Sequence, residues 1–414
     1  MELIVITTSF PSNNSESYFE AELKQLSKVF TTIHVIRTQF KSSDKNYQVP
    51  HNVVFYEYQI QPVPLRFIPF INKKTRKLFF EEMRSIKKEL HQKFTFFKYK
   101  IMHRYLFNAV HFSKWLLELI KKNDIKTNVI YTYWLTDFTL GSTLMNKNLE
   151  TKYHIISRTH GWDCFYDRNP ENYLPFRKAI LRGITNIFPV SNAGTKFLSD
   201  IFKNNKIQTR YLGSAQFKQP ESNPNKEFHI LSIAFVSPIK QLSLLAQAIC
   251  KLKTPVKWTH IGFNKDKYDR ELLQQIEQMF DFIDNISFNP LQIMMQDEIE
   301  TWISNNYVDV FCSTSKAEGL PVSMMQAQSA GIPIISTNVG GVSEIVIDNE
   351  TGFLLPIQPS DNEIALVIKK FINLSDSEKQ KLSVNSFNNF KKHFDAEKNF
   401  SEFAQELKNI SKQQ

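Results

Sequence analysis

The 414-residue sequence predicts an α/β protein of two tandem, Rossmann-like, doubly wound domains, and three observations carry that prediction. Short apolar runs alternate with helical patterns from the first residues onward, the signature of parallel strands joined by crossover helices. A polar stretch with two prolines, GSAQFKQPESNPNK at 213–226, interrupts the alternation near mid-chain. Beyond it the alternation starts afresh. The length also exceeds what one core of ordinary size organises.

Each element follows from a local pattern. LIVI at 3–6 reads as a buried strand, and SFPSNNS as a turn-rich connection. Phe19, Leu23, Leu26 and Phe30 then recur at four-three-four spacing, which is one apolar helical face. IHVI at 33–36 is a second strand, and NVIYTYW, KYHIISRTHGWD and NIFPVS continue the strand series. After 226, HILSIAF is a strand, QLSLLAQAICKL a helix, KWTHIG a strand, YDRELLQQIEQMF a helix and VDVFCST a strand. PVSMMQAQSA is a helix stopped by Gly331, with Pro333 following. PIIST is a strand, and a glycine turn leads into a helix at VSEIVID. The remaining sequence reads as helical and charged, with no further strand. The expected division is 1–212, a linker at 213–226, 227–385, and 386–414 as helices packing back on the first domain.

Composition narrows the classes. Hydrophobic residues make up 42% and charged residues 22%, a balance typical of globular domains. No apolar run approaches the roughly 18 residues that span a bilayer, and MELIVITTSFP reads as a first strand rather than a leader. Cys164, Cys250 and Cys312 lie far apart without metal-ligand spacing, which fits a reduced, cytoplasmic compartment and no structural zinc or disulfide framework. The net charge of +10 admits nucleic acid, an anionic membrane surface or phosphorylated small molecules as partners. Much of it sits in 63–126, where Arg66, Lys73, Lys74, Arg76 and Lys77 begin a basic series interleaved with Phe67, Phe70, Phe79, Phe80, Phe96 and Phe97. No nucleic-acid module accompanies this stretch. It reads equally as a peripheral membrane face or as lysines coating helices over a phenylalanine core.

Two segments carry chemistry. In STNVGGVSEIV a strand enters Gly340-Gly341 and passes into a helix, so backbone N–H groups could meet a phosphate. The same pattern also describes an ordinary strand-to-helix turn. In STSKAEGLPVSMMQAQSAGIPII, Glu318 follows a strand and Gln326 lies eight residues on, roughly two helical turns. These could bracket a polyhydroxyl ligand at the sheet's C-terminal edge, or be a solvated loop acid and a surface helix residue.

Taken together, the order strand, EGLPVS, helix, AGIPII, strand, NVGG, helix, GFLL resembles the signature region of family 4 of the retaining glycosyltransferases, which have the GT-B fold of two domains facing a central cleft. SFPSNNSESYFEAELKQLSKVF resembles that family's first loop and helix, especially in enzymes of bacterial capsule and exopolysaccharide synthesis. RTHGWDCFYDR resembles its histidine-containing segment, RYLGSA the strand leading into its linker, and LSIAFVSPIKQLSLLAQAI its lysine loop. Matching segments run in the family's order from residue 1 to about 360.

The resemblance implies that Lys240 contacts the donor diphosphate, and that Gly340 and Gly341 place N–H groups on the same phosphates. It implies that Glu318 bonds donor-sugar hydroxyls within a loop continued by Gly319, Leu320 and Pro321. Position 326 would bind the ribose, and His160 would lie near the transferred sugar. It implies a nucleotide-sugar donor bound by the domain at 227–385, a glycan or lipid-linked acceptor bound by the domain at 1–212, front-face displacement without a protein nucleophile, and no metal cofactor. Three departures stand out: Gln326 replaces the usual glutamate, Phe235 a common arginine, and Ser12-Asn13-Asn14-Ser15 frequent glycines. Gln326 and Phe235 also suit a catalytically degenerate partner or scaffold of the same fold. The nucleotide, sugar and acceptor are not legible.

Overall fold

The computed structural model describes residues 1–11, 16, 19–39, 49–62, 73–147, 149–150, 152–203, 206–222, 227–264 and 266–413. Positions 12–15, 223–226, Arg66, Phe67 and Phe70 lie outside them. The chain forms two compact units, Met1–Arg210 with Phe400–Gln414, and Tyr211–Asn399.

The first unit comprises β1 (Glu2–Thr7), α1 (Phe19–Val29), β2 (Thr32–Arg37), β3 (Val53–Glu57), α2 (Lys73–Lys88), α3 (Phe96–Lys122), β4 (Val129–Thr132), α4 (Asp137–Lys147), β5 (His154–Thr159), α5 (Arg177–Gly183), β6 (Asn186–Pro189) and α6 (Asn192–Phe202). Its six-stranded sheet has the order β3-β2-β1-β4-β5-β6 and is parallel throughout. Strand order reverses between β1 and β4. Leu3, Ile4, Val5 and Ile6 are all buried, as a central parallel strand covered on both faces requires. Phe19, Leu23 and Leu26 of α1 pack on one face of the sheet, as their spacing predicts.

The second unit comprises β7 (Phe228–Ile233), α7 (Leu242–Ile249), β8 (Val256–Phe263), α8 (Lys267–Phe280), β9 (Ile286–Gln292), α9 (Gln296–Asn305), β10 (Val310–Ser313), α10 (Val322–Ser329), β11 (Ile334–Thr337), α11 (Val342–Ile345), β12 (Gly352–Leu355), α12 (Asp361–Ile372) and α13 (Asp376–His393). Its parallel sheet has the order β12-β11-β10-β7-β8-β9, reversing between β7 and β10. Helix α14 (Ala396–Ile410) begins in this unit, and its residues from Phe400 onward belong to the first. There Phe403, Ala404, Leu407 and Ile410 join Leu3, Val5 and Tyr131 in one core cluster.

Both units are thus doubly wound, and the expected boundaries need correction. The described part of 213–222 is packed into the second unit: Phe217 is buried and its amide donates to Ser329 Oγ at 3.0 Å. Ser214 pairs with Asp395 in an isolated bridge. Residues 386–399 also stay with the second unit, so only the segment from Phe400 returns to the first. A further strand, β12, follows the glycine turn where none was expected.

The basic stretch divides. Phe79 and Phe107 are buried, whereas Phe80 and Phe96 are 47% and 70% exposed, with Phe97 and Tyr99 also exposed. Among the described residues no helix is long and apolar enough to cross a membrane.

Candidate active site

In an open parallel sheet the crevice outside the strands' C-terminal ends, at the point where strand order reverses, is where ligands bind. In the second unit that point lies between β7 and β10. Lys240 follows β7 and Glu318 follows β10, and the two side chains meet, Nζ to Oε1 at 2.6 Å. Glu318 is nearly buried and Lys240 a quarter exposed. The loops are tied by backbone as well. The Lys316 amide donates to the Ile239 carbonyl at 2.8 Å, and the Thr314 hydroxyl lies 3.2 and 3.1 Å from the carbonyls of Lys240 and Gln241. Gly262 makes room for the start of the lysine loop: a Cβ there would sit 1.8 Å from the Ala234 carbonyl oxygen. Phe235 and Ile239 project outward from that loop.

Gly340 adopts φ 58°, a left-handed conformation that favours glycine. Gly341 is expected to offer its amide to the same phosphates as Lys240. Its N–H donates to the Gly319 carbonyl at 2.8 Å, so this amide joins the two loops instead of facing a ligand. Helix α11 is only the four residues Val342–Ile345, and Val342 N–H is taken by the Val339 carbonyl at 3.1 Å. A single turn aligns few peptide dipoles, so little field reaches a phosphate from it. The turn is fixed from behind by residues that sequence reasoning missed. Gln328 Nε2 donates to the Ile345 carbonyl at 2.8 Å, and Asn389 Nδ2 donates to the same carbonyl at 3.0 Å. Gln326 is buried on α10, not the surface residue of the bland reading, and Leu320 is buried while Pro321 caps that helix.

His160 lies in the first unit, after β5. Its ring stands 4.3 Å from that of Trp134 and 4.8 Å from that of Tyr133, centroid to centroid. Its amide donates to Asp163 Oδ1 at 2.8 Å, while Nδ1 lies 4.0 Å from Oδ2. Burial pushes the Asp163 carboxyl up, but the imidazole and the amides of Leu135 and His160 outweigh it and hold the group below the usual range. Neither ring nitrogen of His160 has a hydrogen-bond partner among the described residues. Trp134, Trp162, Asp163 and Glu16 are the other residues of this cluster. The YTYW and HGWD runs signalled Trp134, Trp162 and Asp163, while Glu16 sits in the SFPSNNSES connection, and nothing in one dimension shows that these segments meet.

Residues 214–388 match the family model described as glycosyl transferases group 1, a span lying within the second unit. The chain is 24% identical over 263 residues to the O-antigen biosynthesis glycosyltransferase WbnH of Escherichia coli, covering 62% of this chain and 70% of that protein. Among solved structures, a glycosyltransferase from Rickettsia africae matches with TM-score 0.69 and 15% identity, over 100% of this chain and 99% of that one. Anabaena Alr3699/HepE, solved in complex with UDP and glucose, matches with TM-score 0.64 and 13% identity, over 99% and 100%. The fold is the two-domain α/β fold of these enzymes. With the matched domain, it supports a glycosyltransferase of the GT-B type.

Proposed function

We propose that this chain is a family 4, retaining glycosyltransferase that moves a hexose-type sugar from a UDP- or GDP-sugar to a glycan or lipid-linked glycan, in the synthesis of a bacterial surface polysaccharide or capsule. The observation that carries the reading is the Lys240–Glu318 pair at the strand-order reversal of the unit that matches the transferase domain. Such a pair offers a cation to a leaving diphosphate and a carboxylate to sugar hydroxyls once a ligand separates them. The similarities to WbnH, named for O-antigen biosynthesis, and to HepE with UDP and glucose support the substrate classes. In front-face displacement the acceptor oxygen attacks the anomeric carbon as the bond to phosphate breaks. The departing phosphate oxygen takes the acceptor's proton. Catalysis then rests on placement and on stabilising the leaving charge. Lys240 supplies that charge, so transfer should persist in EDTA.

The test is a thermal-shift screen against UDP, GDP and their sugar conjugates, followed by a transfer assay with the stabilising donor. A ligand at a hundred times its dissociation constant stabilises by about 2.7 kcal/mol. No shift and no transfer with any donor would overturn the reading. A shift without transfer or donor hydrolysis would favour the degenerate-partner reading, which Phe235 in place of a cation motivates. If Gln326 bonds the ribose, Gln326→Ala should weaken donor binding by about 1 kcal/mol, a lost hydrogen bond. Equal donor affinities would remove it from the site.

We place the enzyme at the inner face of the cell membrane. Phe80, Phe79, Tyr99 and Phe96 form a chain of ring contacts along α2 and α3, and the Lys100 ammonium lies 4.6 Å from the Phe96 ring. Exposed rings beside basic residues suit an anionic leaflet, where each cation contributes about 1 kcal/mol. The expected result is co-sedimentation with anionic vesicles that weakens with salt, and none with neutral ones. Lack of binding to anionic vesicles at low salt would reduce the stretch to a charged coat.

A further inference from the structure

The helix layer of the first unit holds a cavity of about 460 Å³ among α2, α5, α6 and the segment before α5. That volume falls in the range of small-molecule sites, roughly 300–1,000 Å³. Leu90, Leu174, Leu181, Ile201 and Phe202 give it apolar walls. Two buried charged side chains also line it, and neither is fully partnered. Glu82, 6% exposed, accepts the Tyr173 hydroxyl and the Phe176 amide at 2.7 and 2.8 Å, both on Oε1. Its Oε2 bonds to none of the described residues. Arg177, 3% exposed, donates through its terminal nitrogens to the Tyr105 hydroxyl at 3.3 Å and the Asp163 carbonyl at 2.7 Å. Its buried Nε has no hydrogen-bond partner among the described residues.

An orphaned buried donor costs free energy that a ligand's acceptor would recover. Arg177 Nε can only donate. Burial pushes the Glu82 carboxyl up, against the opposing pull of Tyr173, Phe176 and Arg177, so its free oxygen must be served with or without a proton. A hydroxyl meets both demands, because it accepts from Nε and either donates to the carboxyl or accepts from it. Charge around the cavity is already balanced. Lys178 pairs with Glu89 at 2.5 Å and Arg182 with Glu81 at 2.7 Å, while Arg177 offsets Glu82. Three cations against three carboxylates leave no net charge to compensate an ion's lost hydration, so the occupant is neutral.

We propose that this cavity binds a neutral, hydroxyl-headed amphiphile, of which the glycerol end of a monoacylglycerol is the chemical type. Its hydroxyls meet Glu82 and Arg177, and its chain lies against Leu181, Ile201 and Phe202. The proposal stands whether or not the chain transfers sugar, because none of these residues belongs to the Lys240–Glu318 site.

Calorimetric titration of the full chain with 1-O-octylglycerol, below its micelle concentration, tests this beside its dimethyl ether, glycerol and octyl sulfate. The diol should bind one to one, about tenfold tighter than the ether, which has no hydroxyl. It should bind about a hundredfold tighter than glycerol, which has no chain. Ile201 is 38% exposed on α6, so Ile201→Trp fills the cavity from its open side and should abolish binding. Glu82→Gln keeps an acceptor for Tyr173 and Phe176 but turns the free oxygen into a donor, and should weaken the diol about fivefold. Circular dichroism checks both folds. No binding of the diol would leave the cavity to water and overturn the proposal. Equal affinity for the ether, for glycerol or for octyl sulfate would do the same. So would diol affinity unmoved in folded Ile201→Trp, or in Glu82→Gln should the first variant misfold.

Discussion

Replacing Lys240 by alanine is expected to lower turnover by about two orders of magnitude while the second unit stays folded, the scale of losing one preorganised transition-state donor. The size of the effect follows from how little else could replace the charge. Phe235 stands in the same loop where a second cation would help, the Gly341 amide is engaged by Gly319, and α11 is a single turn. Lys240 lies 2.6 Å from Glu318 and is only partly exposed, so its loss also removes this ion pair from a nearly buried carboxylate. Lys240→Arg keeps the cation and should recover part of the rate. Turnover with the stabilising donor, alongside circular dichroism, checks both variants. Unchanged turnover in folded Lys240→Ala would take the residue out of the reaction.

Arg158→Met is expected to destabilise the first unit by about 3–5 kcal/mol, the usual consequence of removing one member of a buried ion pair. Arg158 and Glu22 are fully buried, Nε to Oε2 at 3.1 Å. Tyr131 donates to Glu22 Oε1 at 2.7 Å, Arg158 donates to the Arg210 carbonyl at 2.8 Å, and its guanidinium lies 4.0 Å from the Phe403 ring. Glu22 would be left fully buried without its cation. The double variant Glu22→Gln, Arg158→Met removes both charges and should be more stable than Arg158→Met alone. Denaturant unfolding measures this. A loss below about 1 kcal/mol for the single variant, or a double variant no better, would mean water reaches the pair.

The elements legible in the sequence were those with an unambiguous apolar period, and the missed ones share a physical cause. β3 and β9 stand at the sheet edges, half exposed, and β9 contains Pro290, a residue that argues against a strand. α9 has few apolar positions and is announced mainly by Glu298, whose carboxylate returns to the Met295 amide at 2.6 Å. In the site, Lys240 and Glu318 were legible separately, from their loops. That they pair with each other was not, because the contact depends on β7 lying beside β10. The engagement of Gly341 by Gly319 was hidden for the same reason. Glu16, Trp134 and His160 come from three different strand ends, so no local pattern could have joined them.

The return of α14 to the first unit has a consequence for how the protein is made. Phe403, Ala404, Leu407 and Ile410 fill the same core as Leu3 and Val5, yet they leave the ribosome hundreds of residues later. The first sheet can form during translation, but the wall against β1 and β4 stays open until the whole second unit has emerged. A fragment ending at Arg210 carries that apolar gap permanently. Separate expression of the first unit therefore calls for grafting 400–414 behind it, and cells making this protein must shelter an unfinished core through the synthesis of everything between.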